Sequence, residues 1–226
     1  MFVTREEILR QMSKAFIFKD LSVSDCERIL AKVQPETRSY EKNEVIFDEG
    51  DQVDYIGLIC SGRMVSKRLD PDGKVSLQQI LVPPNIIGFE VASTPSKRSP
   101  VRMRCLSEVT LLSFPYGKMV SEEDLLPKVH SYIKDQLITL LANENMRRMY
   151  KIELLTQRSL RKRVLMYLRF VSGKTGENSF TIPFDREQLA QYLNINRSSL
   201  CAELSKMEKE GLISYHKNKF TLKEDS

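Results

Sequence analysis

Length, composition and charge are those of a folded protein with one large domain or two small ones. The chain has 226 residues, of which 41% are hydrophobic and 29% charged, with a net charge of +5. This composition excludes a generally disordered chain. No uninterrupted apolar stretch approaches the roughly 18 residues of a membrane helix, and the first residues become charged before a signal-peptide core could form. We therefore expect a cytoplasmic protein that has no membrane partner.

Cysteine and histidine are too few and too dispersed to indicate a metal centre or a catalytic triad. The four cysteines lie tens of residues apart without a Cys-x-x-Cys pair, and the two histidines are His130 and His216. The pattern favours neither a disulfide framework nor a zinc site, nor a Ser-His-Asp arrangement. We predict reduced thiols, no metal ligands and no enzymatic activity.

The positive charge is concentrated at the C-terminal end. Residues 156–226 contain 13 basic and 8 acidic side chains, which leaves 22 of each in residues 1–155. A positive domain joined to a neutral one suggests that the C-terminal part meets a polyanion. The alternative is that this charge is merely a solvated surface.

Two short helices and an all-β segment are predicted in the first half of the chain. Apolar residues recur at helical spacing over residues 4–34. Over residues 38–116 the pattern changes to short β-rich runs separated by turns about 8 to 12 residues apart, of which Asp70-Pro71-Asp72-Gly73 is the clearest hairpin turn. This pattern predicts an antiparallel, jelly-roll-like β-roll.

One long helix is predicted after the acidic stretch 121–124, because Pro127 stands in its opening turn and no glycine follows until Gly173. A helix of about 30 residues is too long to be covered by a domain of this size, so we predict that the same helix of a second subunit buries part of its apolar stripe. The alternative is that the stripe packs on the chain's own roll. The residues assigned to the dimer interface are Ile133, Leu137, Leu140, Leu141 and Ile152.

Residues 185–204 have the pattern of a helix-turn-helix. Asp185 can cap a helix whose third residue, Gln188, reaches back to it, and Asn194 tolerates a left-handed turn. A second helix begins at Arg197, and its first side chains would face the major groove. Two short strands around Lys217-Asn218-Lys219 complete a winged helix-turn-helix. The residues assigned to DNA binding are Gln188, Asn196, Arg197, Ser198, Ser199, Ala202, Lys206, Lys217 and Lys219.

Together these segments resemble the Crp/Fnr superfamily of bacterial transcription regulators over nearly the whole chain. Besides the helix-turn-helix, the resemblance rests on YEKNEVIFDEGD at 40–51, ICSG at 59–62, DGK at 72–74 and SLRKRV at 159–164. It implies an α+β fold with a cyclic-nucleotide-binding-type β-roll in residues 1–120, a dimerisation helix in 121–155 and a winged helix-turn-helix in 156–226. It also implies a homodimer on a two-fold symmetric operator in double-stranded DNA, with RNA polymerase as a partner and activation as the commoner outcome.

The resemblance breaks down at the ligand site of the cyclic-AMP binders. There a Gly-Glu pair holds the ribose, and an Arg-Ser or Arg-Thr pair holds the phosphate. Here Phe89 shifts the carboxylate of Glu90 by one residue, which on a strand turns it to the opposite face. Arg98 could fork onto a phosphate, or it could be solvated within a basic run. The candidate effector-pocket residues are Gly88, Phe89, Glu90, Arg98, Ser99, Arg148 and Met149.

Cofactors of the family are not expected either. An oxygen-sensing iron-sulfur cluster would need several cysteines near the N-terminus, where only Cys26 stands. Haem would depend on His130 or on a cysteine without a supporting motif. We therefore expect neither cyclic AMP, nor an iron-sulfur cluster, nor haem. Two interpretations stay open, an unidentified small effector in the roll or no effector at all.

The second helix of the helix-turn-helix also departs from the family. By position, Ser198 replaces the acidic base-contacting residue and Ala202 replaces the second arginine. Arg197 can still fork onto guanine, a contact worth about 1 to 3 kcal/mol of discrimination. Oxidation of Cys201 could block docking, although a plain small residue is the simpler interpretation. The lysines assigned above would neutralise phosphates.

Two other classes of function compete with a DNA-binding regulator. A metalloenzyme of the cupin type would need clustered histidines, and residues 38–116 contain none. An adaptor without nucleic-acid binding would leave the basic C-terminal domain without a use. The sequence thus predicts a dimeric, sequence-specific DNA-binding regulator of transcription.

Overall fold

The computed structural model describes residues 4–69, 73 and 75–223, and the chain divides into two compact units. One comprises Met1–Leu69 and Gln79–Glu144, and the other comprises Asp70–Gln78 and Asn145–Ser226. The division falls inside the long helix, whereas the sequence placed domain boundaries at residues 120 and 155. The hairpin turn predicted at 70–73 and the DGK motif lie outside the described residues except for Gly73.

The two N-terminal helices are confirmed as α1 (Arg5–Lys14) and α2 (Val23–Val33). Each begins at a hydroxyl cap, because Thr4 accepts a hydrogen bond from the Glu7 amide and Ser22 accepts one from Asp25. Their buried faces pack into one core with the roll.

The roll is antiparallel and contains the predicted strands. Its strands are β1 (Glu36–Tyr40), β2 (Val45–Phe47), β3 (Tyr55–Ser61), β4 (Met64–Leu69), β5 (Val75–Leu81), β6 (Ile86–Ile87), β7 (Arg102–Cys105) and β8 (Val109–Pro115). They form two sheets, ordered β1-β8-β3-β6 and β2-β7-β4-β5. Two single-turn helices, α3 (Phe89–Ala92) and α4 (Tyr116–Met119), lie within and after a segment that the sequence predicted to be all-β.

Strand β3 explains how the roll is filled on both faces. Ile56 and Leu58 point into the core shared with α1 and α2, whereas Ile59 points into the core between the sheets. Gly57 sits where a Cβ atom would lie 2.9 Å from side-chain atoms of Ile87 and Leu111, so a larger residue there would require these side chains to shift.

Helix α5 (Pro127–Thr156) is the predicted long helix, with 30 residues and a length of about 45 Å. Ile133 and Leu137 are buried in the core of the first unit, and Leu140 packs against that core. The sequence assigned these three residues to the dimer interface. The structure corrects that assignment for Ile133 and Leu137, since both side chains are buried within their own unit, whereas Leu140 is only partly buried and its assignment stays a prediction.

The second unit contains the predicted winged helix-turn-helix. It comprises α6 (Leu160–Thr175), β9 (Ser179–Thr181), α7 (Arg186–Tyr192), α8 (Arg197–Lys209), β10 (Ile213–His216) and β11 (Lys219–Leu222). The sheet order is β10-β11-β9. Strand β9 was not predicted, since three residues are too few to show alternation.

Candidate nucleic-acid interface and effector region

The turn between α7 and α8 is formed as the sequence predicts. The Gln188 amide donates to Asp185 Oδ1 over 2.8 Å, and the Asp185 amide donates to Gln188 Oε1 over 3.0 Å, which completes a capping box. Asn194 adopts the left-handed conformation with φ of 54°. Arg163 fixes the same turn from α6, because its guanidinium donates to the Leu193 carbonyl over 2.8 Å.

Helix α8 has one buried face and one exposed face. Leu200, Leu204 and Met207 are fully buried. The residues at spacings of four, three and four along the opposite face are Ser198, Ala202, Ser205 and Lys209. Arg197 begins the helix and is exposed. The outward surface of α8 therefore has mostly small and hydroxyl side chains, with cations at its two ends.

The wing is held against α7 by an arginine that the sequence analysis did not single out. The Arg186 guanidinium lies 4.8 Å from the centre of the Tyr215 ring and 4.9 Å from that of Phe220. Burial lowers the pKa of Arg186 from its usual value, yet the group stays cationic. The strands of the wing are thus joined to the first residue of α7, and the exposed Lys217 and Lys219 flank its turn. The sequence signal that could have identified this contact is the aromatic residue in each strand of the wing.

The predicted DNA-binding residues occupy one connected part of the second unit. Eight of the nine are exposed, and they lie on α8, just before it or at the wing. Gln188 is half-buried, and its carbonyl oxygen is engaged in the capping box. Ser205 and Lys209 share the outward face and were missed, although their spacing from Ser198 and Ala202 could have identified them.

The predicted effector residues are divided between the two units. Gly88, Phe89, Glu90, Arg98 and Ser99 belong to the first unit, and Arg148 and Met149 belong to the second. In the first unit, Arg98 donates to the Gly50 carbonyl over 2.8 Å. Ser99 is buried, and its hydroxyl donates to the Val101 carbonyl over 2.7 Å. Both side chains therefore have acceptors within the protein.

The conformation of residues 88–90 differs from the strand assumed in the sequence analysis. Gly88 has φ of 80°, and a Cβ atom there would lie 2.6 Å from the Tyr55 carbonyl oxygen. Phe89 and Glu90 follow as the first two residues of α3. A shift by one residue on a helix rotates a side chain by about 100° instead of reversing its face. Phe89 is buried in the core of the roll.

Helix α5 carries a second set of apolar residues, which are exposed. These residues recur at helical spacing and form the exposed stripe of α5; they are Ile138, Leu141, Met149 and Ile152. Ile138, Asn145 and Ile152 are separated by seven residues each, which is a heptad repeat. Leu141 and Ile152 of the predicted dimer interface belong to this stripe, whereas Ile138 and Met149 were not assigned to it.

Within the described residues, helices long and apolar enough to cross a membrane are not found. The same part of the chain has no group of three or more His, Cys, Asp or Glu side chains placed to hold a metal ion.

Two known domain families match the chain. The family described as the cyclic nucleotide-binding domain matches residues 37–121. The family described as the Crp-like helix-turn-helix domain matches residues 162–224. The first match covers the roll with α3 and α4, and the second covers almost all of α6 and the helix-turn-helix with its wing.

Curated relatives match the chain over most of its length. Regulatory protein HlyX of Actinobacillus pleuropneumoniae is 19% identical over 211 residues, which cover 91% of this chain and 84% of that protein. Transcriptional activator protein FnrA of Stutzerimonas stutzeri is 20% identical over 181 residues, which cover 78% of this chain and 72% of that protein.

Solved structures share the fold at similarly low identity. FixK2 from Bradyrhizobium japonicum has a TM-score of 0.66 and 18% identity, covering 84% of this chain and 93% of that one. The c-di-GMP responsive global regulator CLP of Xanthomonas campestris has a TM-score of 0.69 and 17% identity, covering 90% of this chain and 100% of that one.

Proposed function

Because the chain is a transcription regulator of the Crp/Fnr type, with a cyclic nucleotide-binding domain followed by a Crp-like helix-turn-helix domain, we propose that it binds a two-fold symmetric site in double-stranded DNA as a homodimer. The observation that supports this most directly is α8, which exposes its first turn beside a basic wing. An exposed second helix of this kind enters the major groove in helix-turn-helix proteins.

Arg197 is the proposed base-contacting arginine, and Ser198, Ser199 and Ala202 line the same turn of the helix. A guanidinium can donate two hydrogen bonds to guanine, whereas a serine hydroxyl accepts or donates one. The lysines at positions 206, 217 and 219 supply phosphate contacts, which add affinity without sequence preference. The operator is thus expected to depend on few direct contacts to bases.

The second subunit is proposed to pack on the exposed stripe of α5. Ile138 and Ile152 are 64% and 63% exposed, and Met149 is 56% exposed. Apolar side chains repeating on one face of a long helix are the seam of a coiled coil. Pairing of two chains through this face places two copies of α8 on one duplex, as a two-fold symmetric operator requires.

The roll is proposed to work without cyclic AMP, haem or an iron-sulfur cluster. Arg98 and Ser99 already bond to carbonyl groups of the roll, and Phe89 is buried where the cyclic-AMP binders have a carboxylate. Cys26, Cys60 and Cys105 are buried thiols, and burial raises the pKa of each to about 11, which disfavours the thiolate that binds iron. Titration calorimetry with cyclic AMP and iron analysis of the purified protein test this; a saturable heat or stoichiometric iron would contradict it.

The decisive experiment is selection of duplexes from a random pool by the full-length protein, followed by footprinting on the selected sequence. We expect an inverted repeat with two protected patches whose centres lie about 34 Å apart, one turn of the double helix. A single asymmetric patch, or a monomer in sedimentation at the same concentration, would refute the proposal. We further propose that the protein acts in the cytoplasm together with RNA polymerase, and an in vitro transcription assay on the selected site distinguishes activation from repression.

A further inference from the structure

A lysine is buried where the parts of β5 and α5 that belong to the second unit meet α7. Lys151 lies on α5 and is 5% exposed. Its Nζ donates to the Leu77 carbonyl of β5 and lies 3.4 Å from Gln78 Oε1. The same nitrogen lies 4.4 Å from the centre of the Tyr192 ring of α7. One side chain therefore connects the middle of β5, the long helix and the first helix of the helix-turn-helix.

Tyr192 places this contact next to the DNA-binding helix. It is the last residue of α7, and its ring packs against Phe184 at 4.8 Å and Tyr167 at 5.4 Å between ring centres. The next residue, Leu193, begins the turn that leads to α8. Tyr192 therefore joins the contact with Lys151 to the turn before α8.

A second contact holds α5 to α6 independently of Lys151. The Tyr150 hydroxyl donates to the Met166 carbonyl over 2.9 Å, and its ring stacks on Phe170 with centres 4.0 Å apart. Opening of the Lys151 contact thus leaves the helix pair α5–α6 joined. We call the contact of Lys151 with Leu77, Gln78 and Tyr192 the lysine joint.

The electrostatic surroundings of the joint disfavour a positive charge. Burial is the larger cause, and the nearby Arg147 adds repulsion, so that the pKa of Lys151 falls to about 7. Arg147 also donates to the Gln78 carbonyl over 3.2 Å. From α5 and α6, Tyr150 and Tyr167 face the same region, and burial raises the pKa of each well above 10, so that neither titrates near neutrality. β5 contributes only the uncharged Leu77 and Gln78.

We propose that Lys151 is a proton-sensitive positioning residue, and that the joint closes when the side chain is neutral and opens when the side chain takes up a proton and moves into water. The closed joint fixes β5 and α7 against α5, and the open joint frees them. The reason is linkage: a conformation that binds fewer protons is favoured as the pH rises. Between about pH 7 and the ordinary lysine range, the ratio of closed to open joint is expected to rise up to tenfold per pH unit.

Two substitutions separate charge from shape at this position. Lys151→Met has a similar length without a charge and is expected to stay closed at every pH. Lys151→Arg keeps a permanent charge in the same place and is expected to stay open. The wild-type protein should resemble the arginine variant near pH 7 and approach the methionine variant as the pH rises.

Amide hydrogen exchange of the full-length protein between pH 6.5 and pH 8.5, corrected for the intrinsic pH dependence of exchange, tests the proposal. Peptides from β5 and α7 should gain protection with pH in the wild type, by up to about tenfold per pH unit, and show no pH trend in either variant. Peptides from α2 serve as the internal control. An equal trend in the wild type and both variants, or no trend in the wild type, would overturn the proposal. DNA is absent from this assay, so its result is independent of the proposed function.

Discussion

The guanidinium of Arg161 on α6 donates hydrogen bonds from both terminal nitrogens to the carboxylate of Glu210, at the C-terminal end of α8. The Nη1–Oε2 distance is 2.5 Å and the Nη2–Oε1 distance is 3.0 Å, while Nε donates to Glu203 Oε1 over 2.7 Å. A guanidinium that donates hydrogen bonds from all three nitrogens fixes the orientation of the helix that it binds. The helix that is proposed to enter the major groove is therefore held at its last two turns by α6.

Replacement of Arg161 by methionine is expected to lower the midpoint of thermal unfolding and to weaken specific DNA binding. Arg161→Lys is the matched control, because lysine keeps the charge but cannot fork onto two carboxylates. The double variant with Glu210→Gln should be less destabilised than the sum of the single variants, since both remove the same contact. Strict additivity of the thermal shifts would contradict the coupling.

The same pair predicts a difference in acid stability. The hydrogen bond from Arg161 lowers the pKa of Glu210 below its usual value of 4.5. Its contribution is therefore complete above that value and is lost as the pH falls through the lower pKa of the folded state. Arg161→Met should remove this part of the acid sensitivity, so the two proteins should differ less in thermal midpoint at strongly acidic pH than at pH 6. A difference that grows on acidification would refute the assignment.

Lys151 predicts a dependence of the same sign, in a higher pH range. Its pKa of about 7 in the folded protein lies below the usual 10.5, so the unfolded chain binds more protons between these values. Stability relative to Lys151→Met should therefore rise with pH across this window, by up to about 1.4 kcal/mol per pH unit, and should be flat below pH 7. Urea unfolding of both proteins at pH 6, 7, 8 and 9 measures this difference. A difference in the free energy of unfolding that does not change over this range would exclude a lowered pKa of Lys151.

The features that the sequence predicted correctly are those formed by neighbours along the chain. The capping box formed by Asp185 and Gln188 and the left-handed turn at Asn194 depend on residues within one or two turns of helix. The two stripes of α5 could not be told apart in the same way. Ile133 and Ile138 are equally apolar, and only the position of the roll decides that the first is buried and the second exposed.

Features that depend on contacts between distant residues could not be predicted from the sequence for the same reason. The short helix at Phe89 has four residues, too few for the sequence pattern to distinguish a helix from a strand. Nothing in the sequence around Lys151 distinguishes it from a solvated lysine, because its acceptors lie more than 70 positions away in β5. Tertiary packing creates both sites.

Arg197 is expected to be responsible for one specific base position. Arg197→Ala should cost about 1 to 3 kcal/mol of discrimination at that position in a repeated selection from random duplexes. Lys42→Ala, which removes an exposed charge from the roll, is the matched control and should leave the selected sequence unchanged. If Arg197→Ala and the wild type select the same motif, Arg197 does not contact a base.

The lysines of the wing should act on affinity without altering the preferred sequence. Replacing both Lys217 and Lys219 by alanine is expected to reduce the slope of log K against log salt by about 0.9 for each phosphate that the wing no longer neutralises. Replacing Lys32 and Lys42 of the first unit removes the same net charge and should not change the slope. Equal slopes for the wing variant and the wild type would show that the wing does not bind the DNA backbone.

Asn145 stands between Ile138 and Ile152 in the exposed stripe of α5, where a coiled coil would bury it at the seam. It is exposed in the single chain, and its amide nitrogen lies 3.9 Å from Met149 Sδ. A buried asparagine at such a position costs stability but selects one register and two strands, because other pairings leave its amide unsatisfied. Asn145→Val should therefore tighten self-association and allow species larger than a dimer. Asn143→Val, on a different face of the same helix, is the control and should leave the assembly unchanged. Sedimentation equilibrium measures both effects, and weaker association of Asn145→Val would place the dimer seam elsewhere.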